Sequence, residues 1–268
     1  MKKFLSFMIV LSFFLCIETT SFAADEEPIT LNGKNGSFSF MFETEADSFS
    51  RSSTVVSYET FGDHIEITVP LSGTDEDIYT ELNLPEGARM RTLSSEPYEE
   101  SVILLENNNG KLLGLVDIPI ITLDDGTKIY GQNTIDNNSV LHSYDIDATA
   151  KEMTISIYVT REYSYYFYDI GYNDDSARHD FWMEPKGYIF VSEKDGMGTY
   201  EMSWNSLDEG MKSRLSSGDL PLWNNNLETL RLQYRCHYDI ATPSGYWNLE
   251  HYRGVYAYDG YLLTFCNP

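Results

Sequence analysis

Between residues 54 and 160, apolar side chains recur at every second position, and short turn signals separate the runs. That is the period of a half-buried strand, because successive Cβ atoms point to opposite faces of a sheet. TVVSYE sets Val56 and Tyr58 in phase, and HIEITVPL sets Ile65, Ile67 and Val69, with Phe61-Gly62-Asp63 as the turn between them. SVILLE and KLLGLVDIPI flank Asn109-Gly110, a dipeptide favoured in tight hairpins because it tolerates positive φ. Asp125-Gly126 repeats the signal in ITLDDGTKIYGQ, and TISIYVT closes the stretch with Ile155, Ile157 and Val159 on one face. No helix longer than two turns suggests itself here. Residues 51–160 are expected to form an antiparallel β domain, either a sandwich or a curled sheet.

Residues 161–268 read differently. They hold all four Trp and 14 of the 20 Tyr, and carry 9 basic and 16 acidic residues against 7 and 25 in residues 24–160, so two regions with different surfaces are expected. KGYIFVSE reads as a strand. SWNSLDEGMKSRLSSG reads as a helix, with Ser206 and Glu209 in a capping-box pattern and Gly218 at its end. A second helix begins near Leu222, where Trp223, Leu227, Leu230, Tyr234 and His237 make one apolar stripe. YRGVYAYDGYLLTF supplies two further strands turning at Asp259-Gly260. The expected fold class is mostly β with an α+β C-terminal domain: antiparallel sheets, and two helices in the C-terminal part.

Export follows from the first residues. Lys2 and Lys3 precede an apolar run from Phe4 to Ile17, and Ser21-Phe22-Ala23 places small residues where a signal peptidase requires them. Residues 1–23 are thus expected to be a cleaved secretory signal, leaving no membrane span. Residues 24–50 look like a flexible acidic arm. Cys236 and Cys266, the two cysteines outside the leader, are expected to form one disulfide in an oxidising compartment. A loop of that length stabilises a fold by about 3–4 kcal/mol if unstrained. The formal net charge of -24 opposes contact with phosphate backbones and excludes nucleic acid as a partner.

Recognised catalytic and phosphate-binding motifs are absent, and the five histidines lack metal-ligand spacing. No cofactor and no metal are expected. Pairs such as His179-Asp180, and His142 near Asp145, carry little weight, and acidic clusters such as Asp75-Glu76-Asp77 do not follow a calcium loop. The dense cluster is CHYDIATPSGYWNLEHYRGVYAYDGYLLTFCNP at residues 236–268. Glu250 with His237 is the candidate acid/base pair, since a carboxylate beside imidazole can move protons near neutral pH. Tyr246, Trp247 and Arg253 are candidate binding residues for a sugar ring or peptide. Against both stands a purely structural use of the same aromatic strand and stripe.

RLQYRCHYD, WNLEHYR and the terminal CNP resemble the C-terminal signature of secreted bacterial proteins catalogued as domain of unknown function 2599. The likeness rests on Cys236, His237, Trp247, Asn248, Leu249, Glu250, Arg253, Cys266, Asn267 and Pro268, over about residues 175–268. Relatives have Pro-Trp-Arg after the Glu where this chain has His251-Tyr252-Arg253, which counts against a shared role for His251. The resemblance implies secretion and a bacterial source but no activity. The leading expectation is a binding or structural role towards an extracellular or cell-envelope ligand. An extracellular hydrolase using the Glu250–His237 pair and a secreted toxin or antimicrobial effector are the alternatives.

Overall fold

The computed structural model describes residues 20–22, 28–44, 56–71, 77–95, 98–175, 178–186, 189, 198–240, 245–253 and 266. The first half is a run of strands: β1 (Thr20–Phe22), β2 (Ile29–Gly33), β3 (Gly36–Thr44), β4 (Val56–Thr60), β5 (His64–Pro70), β6 (Ile78–Asn83) and β7 (Arg89–Ser95). It continues through β8 (Tyr98–Glu106), β9 (Leu112–Val116), β10 (Ile120–Leu123), β11 (Lys128–Tyr130), β12 (Gln132–Asp136), β13 (Ser139–Ser143) and β14 (Ala150–Val159). Then follow α1 (Tyr163–Tyr166), β15 (Phe167–Asp175), β16 (Arg178–Pro185), α2 (Gly198–Arg214), α3 (Leu220–Asn224), α4 (Leu227–Ile240) and β17 (Trp247–Glu250). The fold is mostly antiparallel β, with its long helices in the C-terminal part, as the periodicity predicts.

Among the described residues these strands form three antiparallel sheets. The largest runs β1-β4-β5-β14-β9-β8-β7, with β10 also on β14 and β11 on β10. A second runs β12-β13-β6-β3-β2, and a third β15-β16-β17. The predicted turns hold: Gly110 and Gly126 have φ of 73° and 86° between β8–β9 and β10–β11. Ile65, Ile67, Val69, Ile155, Ile157 and Val159 are all buried in one core, between the first two sheets.

The large sheet is buried on both faces along β8, β9 and the end of β14. Along β8, Ile103 and Leu105 join the core facing the second sheet, while Val102 and Leu104 join a second core shared with the helices. A doubly buried strand needs apolar residues at every position, which is why SVILLE is a run rather than an alternation. The second core also takes Leu115 and Tyr158 from the large sheet, Ile118 from the β9–β10 connection, and Phe181, Tyr200, Leu207, Trp223, Tyr234 and Trp247 from the C-terminal part. Residues 161–268 therefore complete their core on a face of the preceding β region.

Several local expectations are corrected. The part of the 24–50 arm that is described, residues 28–44, forms β2 and β3, with Phe38 and Phe40 buried. The alternation there is confined to Ile29–Leu31 and Phe38–Phe42, stretches too short to stand out among Ser and Gly. Helix α2 begins at Gly198, so Ser206 lies mid-helix and donates to the Arg161 carbonyl at 2.7 Å instead of capping. The apolar stripe is split between α3 and α4 at Asn225-Asn226. Most of KGYIFVSE and all of the segment after Arg253 except Cys266 lie outside the described residues; Ile189 is helical.

Polar side chains tie the layers together. His142, fully buried in the second sheet, meets Thr80 Oγ1 at 2.8 Å and Asn133 Oδ1 at 2.7 Å, and Asn133 Nδ2 donates to the Asp117 carbonyl at 2.8 Å. The Asp117 carboxylate then accepts from the Gly198 backbone N–H at 2.7 Å, at the start of α2. A carboxylate there satisfies an orphan helix donor and opposes the positive end of the helix dipole. At the opening of β5, His64 stacks between Phe61 and Tyr158, with ring centroids 4.5 Å and 4.4 Å away. Its Nδ1 faces Asp63 Oδ1 at 2.9 Å, and Asp63 Oδ2 accepts from Tyr166 of α1 at 2.8 Å. The β2–β3 turn reaches the third layer, where Lys34 pairs with Glu209 of α2 at 2.9 Å.

Candidate functional site

The third sheet positions the sequence-predicted residues. Its register sets Phe181 opposite Leu249 and Met183 opposite Trp247 on the face packed against the helices. Gly171, Trp182 and Asn248 align on the other, outward face, as do Asn173, Asp180 and Glu250. The buried Gln233 of α4 bonds the edge of β17 that faces away from β16. Its Oε1 accepts from the Glu250 N–H at 2.8 Å and its Nε2 donates to the Glu250 carbonyl at 3.1 Å.

The proposed acid/base pair does not form. His237 Nε2 contacts the Asn248 carbonyl at 3.3 Å, and its ring stacks on Trp247 at 5.6 Å with an interplanar angle of 15°. Burial holds its pKa below the ordinary histidine value, although the carbonyl contact opposes this. The Glu250 carboxylate turns instead to its own neighbours, accepting from the Tyr252 hydroxyl at 2.7 Å and pairing with the Arg253 guanidinium. The cause is local: after β17 the chain turns, and Arg253, three residues on, folds back onto Glu250. Trp247 is corrected likewise. It is 3 % exposed and part of the core, so it has no face for a ligand. Cys236 and Cys266 are brought together with Cα atoms 5.3 Å apart, in disulfide geometry, beside Leu232.

Tyr246 is the one predicted binding residue left open, at 60 % exposed. Its partner is a residue the sequence reading passed over. Trp182 of β16 meets Tyr246 edge-on, with centroids 5.4 Å apart and an interplanar angle of 89°. The indole lies across Gly171 of β15; a Cβ at that glycine would come within 2.7 Å of the Trp182 ring. A side chain there would lift the ring off the sheet, so the glycine lets the indole lie flat. Asn248 flanks the pair on β17, Glu184 on β16, and Asp169 on β15 is paired with Arg214. The parity of RHDFWMEP carried the signal: Phe181 and Met183 alternate with Asp180, Trp182 and Glu184. An amphipathic strand with Trp on its polar side marks a ring meant for the surface.

A separate groove of about 470 Å³ lies between the β6–β7 connection and the β12–β13 turn, lined by Leu84, Ala88, Arg89, Met90, Ile135 and Asn137 among others. Arg89 there is anchored on Glu106, which Arg91 also holds, so the Glu106 carboxyl stays below the usual carboxylate range. Among the described residues no helix is long and apolar enough to cross a membrane, and no group of His, Cys, Asp and Glu could hold a metal ion. Comparison of the chain with protein-family models, curated proteins and solved structures finds no match.

Proposed function

We propose that this chain is an exported, disulfide-stapled binding protein that takes a sugar ring on the outward face of β15–β17. The observation that carries the reading is the Trp182–Tyr246 pair, an indole laid flat over Gly171 with a second ring edge-on at 5.4 Å. Aromatic faces offer large apolar area at low entropic cost, and polar groups beside them fix orientation. Asn248 and the neighbouring carboxylates supply acceptors for ring hydroxyls. Export rests on the leader-like residues 1–23, whose last part, Thr20–Phe22, pairs as β1 at the edge of the large sheet and would leave it on cleavage, on the cysteine pair at disulfide distance, and on the resemblance to the secreted family. The same resemblance favours a bacterial source. A hydrolase reading loses its support in the Glu250–Arg253 and His237–Asn248 contacts.

Titration calorimetry with linear β-linked hexose and N-acetylhexosamine tetramers tests the reading. Saturable binding is expected, and Trp182→Ala and Tyr246→Ala should each weaken it by about tenfold, the worth of one aromatic contact. Binding that survives both substitutions unchanged would remove the platform from the account.

A further inference from the structure

Asp180, on the outward face of the third sheet, lacks the partner that Glu250 and Asp169 have. Asp180 is 4 % exposed, and its Oδ1 is buried without a hydrogen-bond partner. Its neighbours are compensated: Glu250, directly across on β17, by Tyr252 and Arg253, and Asp169 on β15 by Arg214. A buried carboxylate oxygen without a cation or donor is costly, so such groups are retained where something else meets them.

Position identifies that something. Asp180 precedes Trp182 by two residues on one strand, so both leave the sheet on the same side, about 7 Å apart along β16. That is the span of one pyranose ring with a substituent. A ring stacked on the indole thus carries one of its substituents to the carboxylate. The substituent must bring N–H or O–H donors, and a positive charge suits an unpaired acid in a chain of net charge -24.

We infer that Asp180, buried and unbonded beside the Trp182–Tyr246 platform, anchors the ammonium group of an amino sugar. The ligand is then a glucosamine-type oligomer in preference to its N-acetylated or acidic counterparts. This rests on the platform reading above. Acetylation removes the charge and adds bulk at the acid, and a uronic acid places a second carboxylate against it.

Calorimetry on the full-length mature protein with the tetramers of glucosamine, N-acetylglucosamine and galacturonate, at slightly acid pH, separates the two ideas. The glucosamine tetramer should bind about tenfold tighter than the acetylated one, and galacturonate weakest. Asp180→Asn should erase that preference, bringing the glucosamine tetramer down to the affinity of the acetylated one, whereas Trp182→Ala should weaken both. Equal affinity of the native protein for the glucosamine and acetylated tetramers overturns the inference, as does an Asp180→Asn protein that keeps the preference. If Asp180→Asn fails to fold, the native preference alone decides. Acetylated-tetramer binding that depends on Trp182 without any amino-sugar preference spares the platform and sinks only Asp180. No binding of any tetramer overturns both.

Discussion

His64 and His142 show how a side chain's surroundings decide its charge. Burial opposes protonation of His64, but hydrogen bonds and charge from Asp63 and Glu66 outweigh it and raise its pKa to about 9. Stacking on Phe61 and Tyr158 further favours the cation. His142 has no carboxylate partner, and burial alone pushes it down to about 3. The signs are opposite. His64 gives stability that is complete below its unfolded value near 6.5 and is lost as pH rises through about 9. His142 gives stability that is present above about 6.5 and is lost as pH falls towards about 3. Urea unfolding across this range should show a maximum near neutrality. His64→Gln should flatten the alkaline limb, and an unchanged limb would mean the imidazolium is not held as described. Gly198 makes a second residue-scale case. A Cβ there would overlap the Tyr158 ring at the start of α2. Gly198→Ala should cost about 1–3 kcal/mol of unfolding free energy by overpacking, read as a lower urea midpoint.

Among the elements, hairpins were the most legible. Asn109-Gly110, Asp125-Gly126 and Phe61-Gly62-Asp63 each fix a turn by local backbone chemistry, and the flanking alternation fixes the faces. The start of α2 was hidden, because the residue that caps it, Asp117, lies 81 residues upstream and is not a local signal. The proposed binding face was half legible for a similar reason. Tyr246 stands in the Tyr-rich cluster, but Trp182 reaches it only through strand pairing of β16 with β17. Glu250 and His237 misled because proximity in sequence says nothing about which way each turns. The Cys236–Cys266 pair ties the middle of α4 to the chain end. Reduction, or Cys236→Ser, should lower stability by about 2–4 kcal/mol, measured by denaturant unfolding with and without reductant. A shift indistinguishable from zero would show that the staple is idle.

The described residues are layered: a sheet, a second sheet buried on both faces over part of its width, then helices with a small sheet. The middle layer contributes to both cores, so the acidic first region and the aromatic second region are expected to unfold together. A single calorimetric transition is the measurable consequence. The turn carrying Lys34 and Asn35 crosses from the second sheet to α2, where Asn35 Nδ2 meets Glu209 Oε1 at 3.3 Å across 174 residues of chain. Contacts so distant in sequence are made late, since the intervening loop must close first, and chains dominated by them fold slowly. If the chain is exported as proposed above, slow closing of the clasp at Glu209 would leave the polypeptide unlocked while it is threaded through a translocation pore.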